Sequence, residues 1–217
     1  MENIVGEMTQ GRKTLLKRAL LLAFITIFYN LLEGLFSIFF GWEDETLSLL
    51  GFGLDSFVEV ISGIGILHMV IRLRNHPTEN PDRFEQRALQ ITGSAFYLLT
   101  LGLLLTAGVN LFQGHRPETT FWGIVISTIS IFTMWALIYF KNQVGRQLDS
   151  DAVLADAECT KTCLYLSVVL LLASAGFELT GIGGLDAIGA VIIAVFALRE
   201  GREAFEKAQG KSCSCHD

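Results

Sequence analysis

An all-α membrane protein, built as a bundle of six transmembrane helices, is the fold class this sequence predicts, and three observations carry that prediction. Of the 217 residues, 51% are hydrophobic, and mean hydropathy is positive. The apolar residues are gathered into six blocks, at roughly 15–41, 46–71, 88–112, 119–140, 152–178 and 184–205. Each block is long enough to supply the about 20 apolar helical residues that cross ~30 Å of hydrocarbon. All three prolines, Pro77, Pro81 and Pro117, fall between blocks, where they interrupt no interior hydrogen bond.

Residues 1–14 read as a cytoplasmic N-terminal segment. The first block is too long for a signal-peptide h-region and no small-residue cleavage pattern follows it, so it is expected to persist as a helix. It carries Asn30 and Glu33 on one face, where they line a hydrated path or join neighbouring helices. The second block, "LLGFGLDSFVEVISG", places Asp55 and Glu59 four residues apart, on one helical face. The third and fourth blocks are read as spans from length and composition. The fifth, opening "ADAECTKTCLYL", puts Cys159 and Cys163 at the same spacing, with Asp156 and Lys161 nearby. The sixth follows the glycine-rich "GIGGLDAIGA". Together the blocks define a transport-sized membrane domain over 15–207, followed by a short cytoplasmic Cys/His tail, 208–217.

Orientation follows from where Lys and Arg lie. Fourteen of the sixteen fall at the N-terminus, in the second and fourth loops and at the C-terminus; Arg116 lies on the other side and Lys161 within a span. Both termini are therefore expected in the cytoplasm, and Lys141 is read as a charge of the fourth loop. The net charge of −6 says little about partners beyond the bilayer, and no nucleic-acid partner is expected. None of the four cysteines falls in a loop placed outside. Reduced thiols are expected, and thiolates are good soft-metal ligands.

Ionisable groups at membrane depth are costly and usually face the bundle interior. Depth shows whether the two stripes could meet. At ~1.5 Å per residue, Asp55 and Glu59 lie about 17 and 10 Å from the cytoplasmic face, and Cys163 and Cys159 about 17 and 10 Å from the same face. A four-ligand site is thus permitted by the spacing. Taken alone, the cysteine spacing would be packing more often than ligation; the depth match with the acids favours ligation. Lys161 is expected to snorkel to the interface, with neutralisation of Asp156 or Glu158 as the other reading. His68 reads as interfacial. Cys213, Cys215 and His216 in "KSCSCHD" could capture a metal, or form an ordinary terminus.

The runs "NLLEGLFSIFFG", "LSLLGFGLDSFVEVISG", "ADAECTKTC" and "GGLDAIGAVIIAVFALREG" resemble the cation diffusion facilitator family of divalent-metal transporters, across all six spans. The resemblance places the family's paired second-span acids on Asp55 and Glu59. Its fifth-span pattern, Ala-Asp followed by histidine and then an acid, falls on Ala155, Asp156, Cys159 and Cys163, with cysteine in both ligand slots. Glu85 and Asp186 resemble the acids that open the family's third and sixth spans. The resemblance implies metal export in a bacterial inner membrane and a homodimer. With only the short tail after the sixth span, the chain is expected to be a variant without the family's soluble cytoplasmic domain.

Two carboxylates and two thiolates suit Zn²⁺ or Cd²⁺, whereas Mg²⁺, Ca²⁺ and Mn²⁺ prefer oxygen shells. Four negative charges gathered in low dielectric would repel one another, so metal binding is expected to release protons. The expected function is therefore heavy-metal cation transport in exchange for protons. No enzymatic activity and no resident cofactor is expected; the metal is cargo. The competing readings are a membrane thiol oxidoreductase, using the CxxxC and CxC pairs, and a metal sensor or accessory subunit that binds without transporting.

Overall fold

The computed structural model of the protein describes residues 2–75, 83–113, 117–149, 151–182 and 184–209. These residues form six α-helices: α1 (Glu2–Glu43), α2 (Leu47–Asn75), α3 (Arg83–Gln113), α4 (Phe121–Leu148), α5 (Asp151–Thr180) and α6 (Gly184–Ala208). The tail residues Cys213, Cys215 and His216, and the side chain of Glu85, lie outside what is described.

Five of the helices are long and apolar enough to cross a membrane. α6 differs in composition, because Asp186, Arg199 and Glu200 interrupt its apolar stretch, but its 25 residues still span ~37 Å. Several helices outrun their apolar blocks. α1 begins at Glu2, so the expected N-terminal segment is continuous with the first span. α4 runs to Leu148 and stops where Asp149 turns left-handed (φ 50°), its N–H directed at the carbonyls of Gly145 and Arg146. Hydropathy marks where a helix crosses hydrocarbon; local backbone geometry such as this marks where it ends.

Polarity is inverted relative to a soluble domain. Phe24, Phe28, Phe36, Phe39, Leu98 and Phe132 are exposed, as a lipid-facing surface requires. Asn30, Glu33, Ser37, Asp55, Ser56 and Lys141 are buried. This makes the chain a multi-pass membrane protein with a polar interior.

Helices pack most extensively as α1 on α2, α3 on α6 and α4 on α5, and α2 also meets α3, α5 and α6. Small residues permit these approaches. On α6, Ala187, Ala190, Ala194 and Ala197 form one buried stripe. At Gly34, a Cβ would stand 3.1 Å from the Gly53 carbonyl oxygen of α2 and closer still to the Phe57 ring. That close approach of α1 to α2 brings the polar face of α1 to the acids of α2.

At the end of the bundle that the charge distribution places outside, two acids cap helices to which they do not belong. Asp186 of α6 accepts from the Leu47 and Ser48 N–H groups (2.8 and 3.0 Å) and from the Ser48 hydroxyl, closing the first turn of α2. Glu178 of α5 accepts from Thr120 N–H (2.6 Å) and the Thr119 hydroxyl (2.7 Å) at the start of α4. Both satisfy amides that a helix N-terminus leaves unpaired, with a negative charge at the positive end of the dipole.

Candidate metal centre

The α-helical spacing of Asp55 and Glu59 turns both toward the bundle interior. Asp55 is only 2% exposed, and its Oδ1 is buried without a hydrogen-bond partner among the described residues. Glu59 is half-buried and has two neighbours from different helices. Asn30 of α1 donates from Nδ2 to Glu59 Oε2 at 2.9 Å, and the Cys163 thiol of α5 donates to the same oxygen. Glu59 thus sits where α1, α2 and α5 converge.

Glu33, one turn from Asn30, is held by donors on both sides. Tyr29 O–H reaches its Oε1 at 2.9 Å and the Ser56 hydroxyl its Oε2 at 3.1 Å. The Asn30–Glu33 face makes helix contacts that orient the acids of α2. Asn30 fixes Glu59, and Ser56 ties Glu33 to the turn between Asp55 and Glu59.

On α5, Cys163 is buried against Met134 and Leu137 of α4, while Cys159 is half-buried one turn toward the predicted cytoplasmic side; neither is in a disulfide. The structure joins Cys163 to Glu59, but it does not gather all four predicted ligands. Among the described residues, no three His, Cys, Asp or Glu side chains converge to hold a metal ion.

Asp156 has a partner that sequence reading misplaced. Lys141 Nζ stands 2.9 Å from Asp156 Oδ2 and donates to Thr160 Oγ1 at 2.8 Å, and Lys141 is wholly buried. The expectation of a loop charge fails because α4 continues past Lys141 to Leu148 and turns that side chain onto α5. Asp156 is therefore one half of a buried ion pair between α4 and α5.

Glu200 of α6 went unremarked in the sequence, although it stands inside the sixth apolar block on the same terms as Glu33 in the first. Its Oε1 accepts from Thr162 Oγ1 at 2.9 Å. Ser56 and Thr162 thus tie Glu33 and Glu200 to positions next to Asp55 and Cys163.

Residues 23–209 match the family described as the cation efflux transmembrane domain. The chain is similar to the cation-efflux pump FieF of Klebsiella pneumoniae (strain 342), 26% identical over an alignment of 186 residues that covers 79% of this chain and 60% of that protein. An uncharacterised transporter of Methanocaldococcus jannaschii is 26% identical over 175 residues, 79% of this chain and 62% of that one. The FieF of Pectobacterium atrosepticum is 26% identical over 183 residues, 78% and 59% respectively. The chain thus spans about 60% of the length of these relatives. With its six helices, its polar interior and a family match that runs from the first span through the last, this chain belongs to the cation efflux, or cation diffusion facilitator, family.

Proposed function

We propose that the chain exports a divalent heavy-metal cation, Zn²⁺ or Cd²⁺, from the cytoplasm in exchange for protons, through a site between α2 and α5. The observation that carries this reading is the meeting of the Glu59 carboxylate with the Cys163 thiol across those two helices, beside a buried Asp55 whose Oδ1 lacks a partner. A carboxylate oxygen and a sulfur that share a proton are displaced from one another's company by a borderline or soft dication, which binds both and releases the proton.

Asp55, Glu59, Cys159 and Cys163 are the proposed ligands. In the described conformation Glu59 and Cys163 already touch, and binding completes the set by moving α5 against α2, a small shift of packed helices. Asn30 holds Glu59 in orientation throughout, a supporting role of the kind that tunes metal sites. The resemblance to efflux pumps supports the outward direction. A homodimer and an inner-membrane location belong to the same proposal, and the tail residues Cys213, Cys215 and His216 are proposed to capture metal.

Purified protein in proteoliposomes tests the reading. Added Cd²⁺ or Zn²⁺ should cross the bilayer while protons move the opposite way, reported by a pH-sensitive dye. Replacing Cys159→His together with Cys163→Asp should shift preference from Cd²⁺ toward Zn²⁺. Metal binding without flux would support the accessory-subunit reading. Dithiol oxidation coupled to no metal movement would support the oxidoreductase reading.

A further inference from the structure

The α2–α5 site leaves the carboxylate of α6 unassigned. Glu200 is half-buried on a helix whose buried positions are alanine, glycine, isoleucine and Asp186. Thr162, adjacent to Cys163 in α5, donates its hydroxyl to Glu200 Oε1 at 2.9 Å, so the carboxylate is drawn toward α5. α2, α5 and α6 pack mutually, and Glu200 is held against α5 within that packing.

Its level in the membrane follows from a fixed register. Asp186 is pinned to the first turn of α2 through Leu47 and Ser48, and from that pin α2 and α6 run in the same direction. Glu200 is fourteen residues beyond Asp186, whereas Asp55 and Glu59 are eight and twelve beyond Leu47. At ~1.5 Å per residue these positions fall about 21, 12 and 18 Å from the pin. Glu200 is therefore the innermost of the three, on the predicted cytoplasmic side of Glu59.

We infer that Glu200, oriented by Thr162, is a further carboxylate of the cation path, which an incoming dication meets before it reaches Asp55, Glu59 and Cys163. The inference rests on the function proposed above. A carboxylate beside a hydroxyl offers only hard oxygen donors, which suit transient capture of a hydrated dication rather than its retention. The Cys163 thiol, deeper in, then takes the ion on softness. Glu200 thus serves capture, and Asp55, Glu59 and the cysteines serve retention. A negative charge in a low-dielectric cleft concentrates cations and speeds their arrival.

Flux of Cd²⁺ and of Zn²⁺ into proteoliposomes, measured with the full chain, separates these roles. Glu200→Gln is expected to raise KM about three- to tenfold, the order of a local steering effect, with the maximal rate within about twofold and the Cd²⁺/Zn²⁺ ranking unchanged. The gap from the unmodified protein should narrow at high ionic strength, because screening weakens capture by charge. Glu200→Asp should recover most of the affinity, and Thr162→Val should give a smaller rise in KM than Glu200→Gln. An unchanged KM in Glu200→Gln, or a fall in maximal rate that high salt and Glu200→Asp leave untouched, overturns the inference. Asp55→Asn, measured alongside, keeps the two ideas apart. If Asp55→Asn is inactive and Glu200→Gln is normal, only the role of Glu200 is lost; if Asp55→Asn transports normally, the α2–α5 reading fails.

Discussion

Acids at the outer end of the bundle and acids at its centre are the same residue types in opposite circumstances. Asp186 and Glu178 each accept backbone N–H bonds from the first turn of a neighbouring helix. Their charge is consumed by the fold. In the centre, Asp55 keeps a buried oxygen without a partner, and Glu59 leans on an amide and a thiol. A buried polar group that the protein leaves unsatisfied costs stability, and such a cost is tolerated where a ligand is to be received. The contrast teaches that burial of an acid in this bundle does not by itself mark function.

The sharpest way to break the comparison is to neutralise one acid from each region. Asp55→Asn and Glu59→Gln should each reduce metal flux on the order of a hundredfold or more, since losing even a supporting partner of a metal ligand typically costs 10–100-fold. Their thermal stability in detergent should hold or rise. Asp186→Ala should do the reverse, lowering stability by about 1–3 kcal/mol through two unpaired amides while flux per folded molecule persists. If Asp186→Ala is stable but inactive, the division between the two regions collapses.

Lys141 and Asp156 form a third case, an acid satisfied by a buried cation. Lys141→Met leaves Asp156 uncompensated and should destabilise by about 3–5 kcal/mol, whereas the double variant Lys141→Met with Asp156→Asn should recover much of that loss. Thermal unfolding of the two variants side by side measures the difference. No recovery in the double variant would show that Lys141 stabilises through its bond to Thr160 rather than through Asp156.

How much of this was legible in the sequence depends on the kind of interaction. The six helices could be read because twenty-residue apolar blocks with prolines between them have few other solutions in a bilayer. Asp55 and Glu59 stood out because two acids four apart in an apolar block share a face. Lys141 was misread because hydropathy registered the end of an apolar block, whereas α4 runs on for two more turns to an αL residue, Asp149. The contact of Asn30 with Glu59 depends on how α1 is set against α2, which Gly34 and Gly53 allow and which no periodicity within either helix encodes. Glu200 was passed over because it stands beside Arg199 near the end of its block, where charges read as interfacial; only the bond from Thr162 draws it toward the site.

The smallest expected effect belongs to Asp44, in the turn after α1. Burial, and then Glu43, Glu118 and Glu178, hold its carboxyl above the ordinary carboxylate range. The folded state therefore prefers this group protonated, and the stability it contributes is complete below about pH 4 and lost as pH rises through the raised value. Asp44→Asn should raise the melting temperature by about 1–2 °C at pH 7 and leave it unchanged at pH 3.5. A gain at both values would mean that the effect is not electrostatic.

Central to this account is a metal held between α2 and α5 by carboxylate oxygen and cysteine sulfur. X-ray absorption at the zinc edge reads that shell most directly, on protein loaded with one equivalent of Zn²⁺ and carrying Cys213→Ser and Cys215→Ser so that only Cys159 and Cys163 can supply sulfur. The predicted result is two sulfurs at about 2.3 Å and two oxygens at about 2.0–2.2 Å, with the sulfur shell lost in Cys159→Ser with Cys163→Ser and the oxygen shell altered in Asp55→Asn. A bound zinc surrounded by oxygen and nitrogen alone, unchanged by any of these substitutions, would contradict it.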